Sequence, residues 1–374
     1  MATMQVQSSE GGFCKSMVET NGYECEDHNV TTKDGYILNV VRIPMGRCRD
    51  CRTRGNKSPV LLQHGVFVDG RSWLLLPPKQ SLAFNLADNG YDVWLVNSRG
   101  TEYSEGHTSL NFDDPAYWNW SLDELVAYDL PATFQYVYDQ TSQKLHFVGH
   151  SLGTLMVMAA MSRDQLVNML ASVGLLCPVA YMGHTTSLLS RVIADNFIAE
   201  VASFFLCTCF DKYEAKFSRN LSYLPELKLW DIHFIGQNCC MKSSIMDIFL
   251  DHEPQPAAMK IVIHMCQLIR RGNTTMFDYN DSGTNIKHYG QPTPPAYNMI
   301  GIPKDLPIFL SHGGADALSD VDDVKLLLDS LQGHDPDKIV VQFIEHFAHA
   351  DYVMSGNAKE HVYDPFIAFL SRLH

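Results

Sequence analysis

No apolar run in this 374-residue chain reaches the roughly 18–20 residues that a helix needs to cross a bilayer, so no transmembrane segment is expected. Basic charge is scarce as well. Lys and Arg number 28 against 42 Asp and Glu, for a formal net charge of −14. Nucleic-acid binding, which needs basic stripes, is therefore not expected, and neither is simple electrostatic docking on anionic membranes. Met1 to Thr20 lacks the apolar stretch of a secretory leader. No second Cys/His pair stands at finger spacing from Cys48 and Cys51. That argues for a surface loop or local disulfide there, not zinc, and nothing in the sequence calls for a metal or other cofactor. No internal repeat is evident. What remains is a globular composition, 46% hydrophobic and 19% charged, long enough for one large domain with an insertion.

The most informative segment is Gly149-His150-Ser151-Leu152-Gly153. Chance alone gives roughly 0.1 occurrences of Gly-x-Ser-x-Gly in a chain of this composition. The apolar run Leu145–Val148 precedes it, and Thr154–Ala160, apolar and free of Pro and Gly, follows. Strand, sharp turn and helix with serine at the apex make a nucleophile elbow, in which only small neighbours leave the backbone room to turn. His150 reads as a packing residue rather than a base.

Such an elbow calls for an acid and then a histidine further along the chain. Leu306–Leu310 reads as a buried strand running into Ser311-His312-Gly313-Gly314-Ala315-Asp316. Asp316 is the expected acid. Asp320, Asp322 and Asp323 are alternatives, but they look like the solvated start of a helix over 321–331, where carboxylates suit the dipole. The strand Lys338–Ile344 leads to two candidate bases, His346 and His349. His349 is favoured because it lies farther into the loop. In this reading Ser151 attacks an ester carbonyl, His349 relays the proton, and Asp316 fixes the imidazole. The oxyanion would be met by the backbone N–H of Leu152 and that of Val66, which follows the strand Ser58–Gln63 and the turn His64-Gly65.

Core strands are expected at 60–63, 91–97, 145–149, 171–177, 306–311 and 338–345, with helices between most of them. That alternation predicts an α/β fold with a mainly parallel sheet and helices on both faces. A hairpin is expected around Lys33-Asp34-Gly35. Between Ala180 and Pro303 the alternation stops, and a loop that long is rarely unstructured. Residues 181–303 are therefore read as a helical cap or lid, with helices at 187–208, 243–249 and 256–271 and a return strap at 283–295. It separates two parts of one core, 1–180 and 304–374. Phe204, Phe205, Leu206 and Phe210 are candidates to face an acyl chain or simply to pack the cap.

Several blocks together carry a resemblance to the acid lipase family, the gastric and lysosomal lipases of animals. They are Leu62-Gln63-His64-Gly65, Ser81–Phe84, Gly90–Leu95 with Asn97-Ser98-Arg99-Gly100, Tyr128–Thr133 and Gly149-His150-Ser151. Asn238-Cys239-Cys240, Asp316–Val321 and Ala348–Met354 look more like its plant triacylglycerol-lipase branch. The resemblance runs from about Cys14 to about Leu370. It implies the α/β-hydrolase fold, a lid, the Ser151–Asp316–His349 triad, and hydrolysis of neutral-lipid or other carboxylic esters, with an apolar ester as substrate and a lipid interface as a candidate partner. It also implies a Cys14–Cys25 disulfide. Animal members usually carry glutamine where this chain has Leu152, which alters pocket polarity but not the N–H. The absent leader is the second departure. Against it stand six Asn-x-Ser/Thr sequons, at Asn29, Asn56, Asn119, Asn220, Asn273 and Asn280, and ten cysteines. Four of those cysteines, Cys207, Cys209, Cys239 and Cys240, cluster in the insertion. A secreted or vacuolar/lysosomal glycoprotein whose leader has been removed is expected, with a cytoplasmic member as the alternative. The competing activity is an esterase or acyltransferase acting on a plant specialised metabolite with the same triad, since water and an alcohol attack the same acyl-enzyme.

Overall fold

The computed structural model describes residues 12–47, 57–209, 216–217 and 235–373, without the side chains of 204–209 and 216–217. Among the described residues nine strands form one sheet. They are β1 (Glu26–Thr31), β2 (Tyr36–Ile43), β3 (Pro59–Gln63), β4 (Asp92–Val96), β5 (Gly106–His107), β6 (Leu145–His150), β7 (Leu170–Leu176), β8 (Ile308–Gly313) and β9 (Ile339–Ile344). Their order is β1-β2-β4-β3-β6-β7-β8-β9, with β5 paired to β2. From β4 to β9 every pairing is parallel; β1, β2 and β5 pair antiparallel.

The parallel arrangement explains the apolar stretches Val60–Leu62, Val93–Val96 and Ile308–Leu310: every residue in β3, β4, β6 and β8 is buried, because helices cover both faces. Alternate residues then divide between two cores. Leu61, Trp94, Phe147, Val173 and Leu310 meet the helices Leu130–Thr141 and Leu152–Met161. Val60, Leu62, Val93, Val148 and Phe309 meet the helices Leu82–Asp88 and Asp364–Ser371. The hairpin turns at Gly35, whose φ of 103° suits glycine. Its first strand begins at Glu26, earlier than the apolar residues suggested, because only Val30 of that strand is buried.

Residues 177–307 join β7 to β8. They contain helices at Leu188–Asp195, Ile198–Cys209, Ser243–His252, Met259–Arg271 and Ser282–Tyr289. The expected single helix over 187–208 is two, broken at Asn196 and Phe197, where Phe197 has a φ of 53°. The expected strap contains the helix 282–289. It opens on Asp281, which accepts the Thr284 N–H, but it is too polar to give an apolar stripe.

Polar bonds fasten this segment to the core. Asp123, in a short helical turn behind the capping residue Ser121, accepts the Phe277 N–H at 2.9 Å and the Tyr297 hydroxyl at 2.9 Å; the Tyr289 hydroxyl, 3.3 Å away, has a shorter acceptor in the Phe277 carbonyl at 2.7 Å. Elsewhere Glu253 Oε1 accepts the Asp69 N–H at 3.3 Å, and Gln255 N–H donates to the Phe67 carbonyl at 2.7 Å. Cys14 is disulfide-bonded to Cys25, and Cys239 to Cys240. Cys48, Cys51 and the side chains of Cys207 and Cys209 lie outside the described residues. Among the described residues no helix is long and apolar enough to cross a membrane.

Candidate active site

The loops that follow β3, β6, β8 and β9 meet at the C-terminal edge of the parallel strands, the usual place for a site in an open α/β sheet. Ser151 is the turn between β6 and its helix, with φ 54° and ψ −119°. Such a backbone costs a residue bearing a Cβ about 1–3 kcal/mol. It is held by the Ser151 N–H, which donates to Leu176 O at 3.2 Å, and by Thr154 Oγ1, which donates to Ser151 O at 2.5 Å. The flanking glycines are a packing requirement. A Cβ on Gly149 would lie 2.6 Å from the Gly153 carbonyl carbon, and one on Gly153 would lie 2.5 Å from Gln63 O.

Asp316 and His349 come together from the two following loops. His349 Nδ1 lies 3.0 and 2.9 Å from the two Asp316 carboxylate oxygens. A carboxylate accepts, so Nδ1 carries the proton and Nε2 keeps its lone pair. Asp316 Oδ1 also accepts the N–H groups of Leu318 at 2.9 Å and Ser319 at 2.8 Å, which fix its plane. Both Ser151 and His349 line one cavity, and His349 Nε2 is buried with no hydrogen-bond partner among the described residues. His346 is exposed, packs on Phe347 and His361, and does not line that cavity. Of the alternative acids, Asp320 caps its helix. Asp323 is not solvated as expected; it is buried and accepts both the N–H and Nδ1–H of His184, each at 2.8 Å.

The loop after β3 is shaped by His64. Its Nε2 accepts the Ser98 N–H at 3.1 Å, so Nδ1 bears the proton and donates to Gly65 O at 2.7 Å. Burial lowers its pKa and keeps it neutral. Gly65 lies against the elbow: a Cβ there would be 3.1 Å from Ser151 Cβ. The N–H of Val66 just beyond, and that of Leu152 in the first turn of its helix, donate to no backbone carbonyl among the described residues. The helix start adds a positive dipole end beside Ser151.

The cavity measures about 300 Å³. Val66, Leu318 and Val353 wall it from the core, and Ile193, Met259 and Met265 from the helical segment. Phe210 and the side chains of Phe204, Phe205 and Leu206 lie outside the described residues.

Two contacts escaped the sequence reading. His150 lines the cavity, and its Nε2–H donates to the His349 carbonyl at 3.0 Å. Ile235 O accepts the N–H of His349 at 3.3 Å and that of Ala317 at 3.4 Å. Backbone acceptors have no sequence signature; a histidine inside an elbow has only its position.

Two family profiles match the chain: a partial alpha/beta-hydrolase lipase region over residues 14–76 and the alpha/beta hydrolase fold over residues 58–204. Triacylglycerol lipase 2 of Arabidopsis thaliana is 45% identical over 372 residues, which cover 98% of this chain and 89% of the relative. Human gastric triacylglycerol lipase is 34% identical, with 95% and 90% covered. Among solved structures, a soluble variant of the monoglyceride lipase of Saccharomyces cerevisiae aligns with a TM-score of 0.60 at 14% identity, covering 94% of this chain and 96% of that one. At that identity the likeness speaks for the fold alone.

Proposed function

Because the chain belongs to the α/β-hydrolase family of the triacylglycerol and gastric lipases, we propose that it is a lipase-type carboxylic ester hydrolase whose nucleophile is Ser151, acting on acyl esters of neutral lipids. The observation that carries the assignment is the chain of contacts from Asp316 to His349 beside the strained serine, under an apolar cavity.

The arrangement supports the following steps. Ser151 Oγ attacks the ester carbonyl while His349 Nε2 takes its proton. The Asp316 carboxylate, held by two backbone donors, stabilises the imidazolium that forms. Val66 N–H and Leu152 N–H meet the oxyanion, in a site whose apolar walls exclude water and strengthen both bonds. His349 then protonates the leaving alcohol. A water, deprotonated by the same nitrogen, releases the acid and restores Ser151.

In this reading residues 181–303 form a cap, and their apolar side chains hold the acyl chain. We also assign the protein to a secreted or vacuolar/lysosomal compartment as a glycoprotein. The Cys14–Cys25 disulfide supports this, as does the exposure of Asn29, Asn119, Asn273 and Asn280. Asn56 and Asn220 lie outside the described residues.

The test is hydrolysis of p-nitrophenyl esters from acetate to palmitate by wild type and Ser151→Ala. Serine-dependent turnover that rises with chain length is expected. Equal turnover by the two proteins would remove Ser151 from the mechanism, and turnover confined to short esters would replace the lipase by a small-ester hydrolase.

A further inference from the structure

His349 is gripped at three points. Its ring is held by Asp316, its N–H by Ile235 O, and its carbonyl by His150 at 3.0 Å and, more weakly, by the Cys177 thiol at 3.7 Å. The third grip comes from the residue next to Ser151. A carbonyl can only accept, so His150 Nε2 carries a proton and donates; Nδ1 is an unprotonated, buried acceptor without a partner among the described residues. The ring is 6% exposed. It meets the edge of Trp73 at 6.4 Å and tilts against the His349 ring at 5.1 Å between centroids. Leaving a buried nitrogen unpaired costs about 1–3 kcal/mol relative to an apolar ring. A residue that only filled space would avoid that cost.

We propose that His150 is a positioning residue for the base: its Nε2–H bond to the His349 carbonyl ties the histidine loop to the nucleophile's own turn. This rests on the assignment of Ser151 and His349 as nucleophile and base. Serine and imidazole arrive from separate loops, after β6 and β9, and drift of either would open the gap between Oγ and Nε2. One rigid turn carries both the attacking oxygen and the donor that registers the base, so the two move together. Histidine suits the task because its donor is planar, short-tethered and uncharged. Burial, and then the neighbouring His349, push its pKa down to about 3, so no second cation competes when His349 takes the serine proton.

The test compares wild type, His150→Phe and His150→Gln in the full chain. Phe keeps the ring and loses the donor; Gln loses the ring and offers an N–H at similar reach. The measurements are kcat and KM on a p-nitrophenyl ester, the second-order rate of Ser151 modification by a fluorophosphonate, and the melting temperature. His150→Phe should lower kcat and the fluorophosphonate rate together by about 10- to 100-fold, since a misplacement of ~1 Å can cost ~10²-fold, with KM within about two-fold. His150→Gln should recover most of both. Wild-type kcat in His150→Phe overturns the proposal, and so does a His150→Gln that melts like wild type yet reacts as slowly as His150→Phe. If His150→Phe does not fold, the Gln variant decides alone: near-wild-type rates support the tether, and lost rates in a folded protein overturn it. Failure of the underlying assignment looks different, because Ser151→Ala would then match wild type and the fluorophosphonate would not label Ser151.

Discussion

The sheet and the helical segment between β7 and β8 share one apolar cluster, in which Ile261, Leu268 and Ile269 join Leu61, Phe147 and Val173, yet they are fastened differently. In the sheet, side chains on six parallel strands are shared between two cores, and no single residue carries the whole. The helical segment has an apolar inner side, but directed polar bonds attach it at its rim, at Asp123 on one flank and at Glu253 and Gln255 on another. The loops that carry Ser151, Asp316 and His349 grow from the first kind of structure, whereas more than half of the cavity wall belongs to the second. The proposed reacting groups on a cooperative scaffold and a wall with added polar fastenings can be altered separately, and three changes would break or sharpen that contrast.

The largest effect is expected on the sheet side. Asp316→Asn keeps the shape of the loop but removes the charge that fixes the His349 tautomer. Turnover of every ester, short or long, should fall by about 10⁴-fold, with little change in melting temperature. A loss that depended on chain length would mean that Asp316 acts on access rather than chemistry.

Asp123→Ala should do the reverse. Two buried donors, Phe277 N–H and the Tyr297 hydroxyl, lose their acceptor, while the Tyr289 hydroxyl keeps the Phe277 carbonyl at 2.7 Å. Denaturant titration should show a loss of about 3 kcal/mol. Turnover should fall more for long esters than for acetate, because the wall moves and the triad does not. Equal losses across the series would show that the two regions are coupled after all.

The smallest effect concerns pH. Burial, and then the nearby Asp69 carboxylate, raise the Glu253 pKa well above its ordinary value. A raised folded pKa contributes stability that is complete at pH values below the unfolded pKa and is lost as pH climbs through the folded one. Relative to Glu253→Gln, which does not titrate, wild type should therefore lose stability as pH rises from about 4.5. The difference in slope should not exceed one proton, about 1.4 kcal/mol per pH unit. Parallel stability curves for the two proteins would show that Glu253 is ionised as freely when folded as when unfolded.

Much of the sheet was legible because burial on two faces leaves a direct imprint: Val60–Leu62, Val93–Val96 and Ile308–Leu310 are apolar throughout. The loop residues were legible for a related reason. Ser151 and Asp316 each lie just past such a run, in company with glycine; His349 follows a partly exposed edge strand with no glycine beside it and was distinguished from His346 only by its depth in the loop. The helical segment wrote itself less clearly. Helix 282–289 has no apolar stripe, and its start is encoded by a single capping aspartate. Asp123 carries no signal of its own in the sequence, because its partners lie more than 150 residues away. Asp323 was read as solvated because composition cannot say that His184 will fold over it.

The left-handed backbone at Ser151 has an evolutionary corollary. Glycine would occupy that conformation without penalty, so a lineage selected for robustness alone would drift toward glycine at 151 and gain a more durable fold with no nucleophile. On the proposed assignment, serine at so uncomfortable a position is durability exchanged for reactivity.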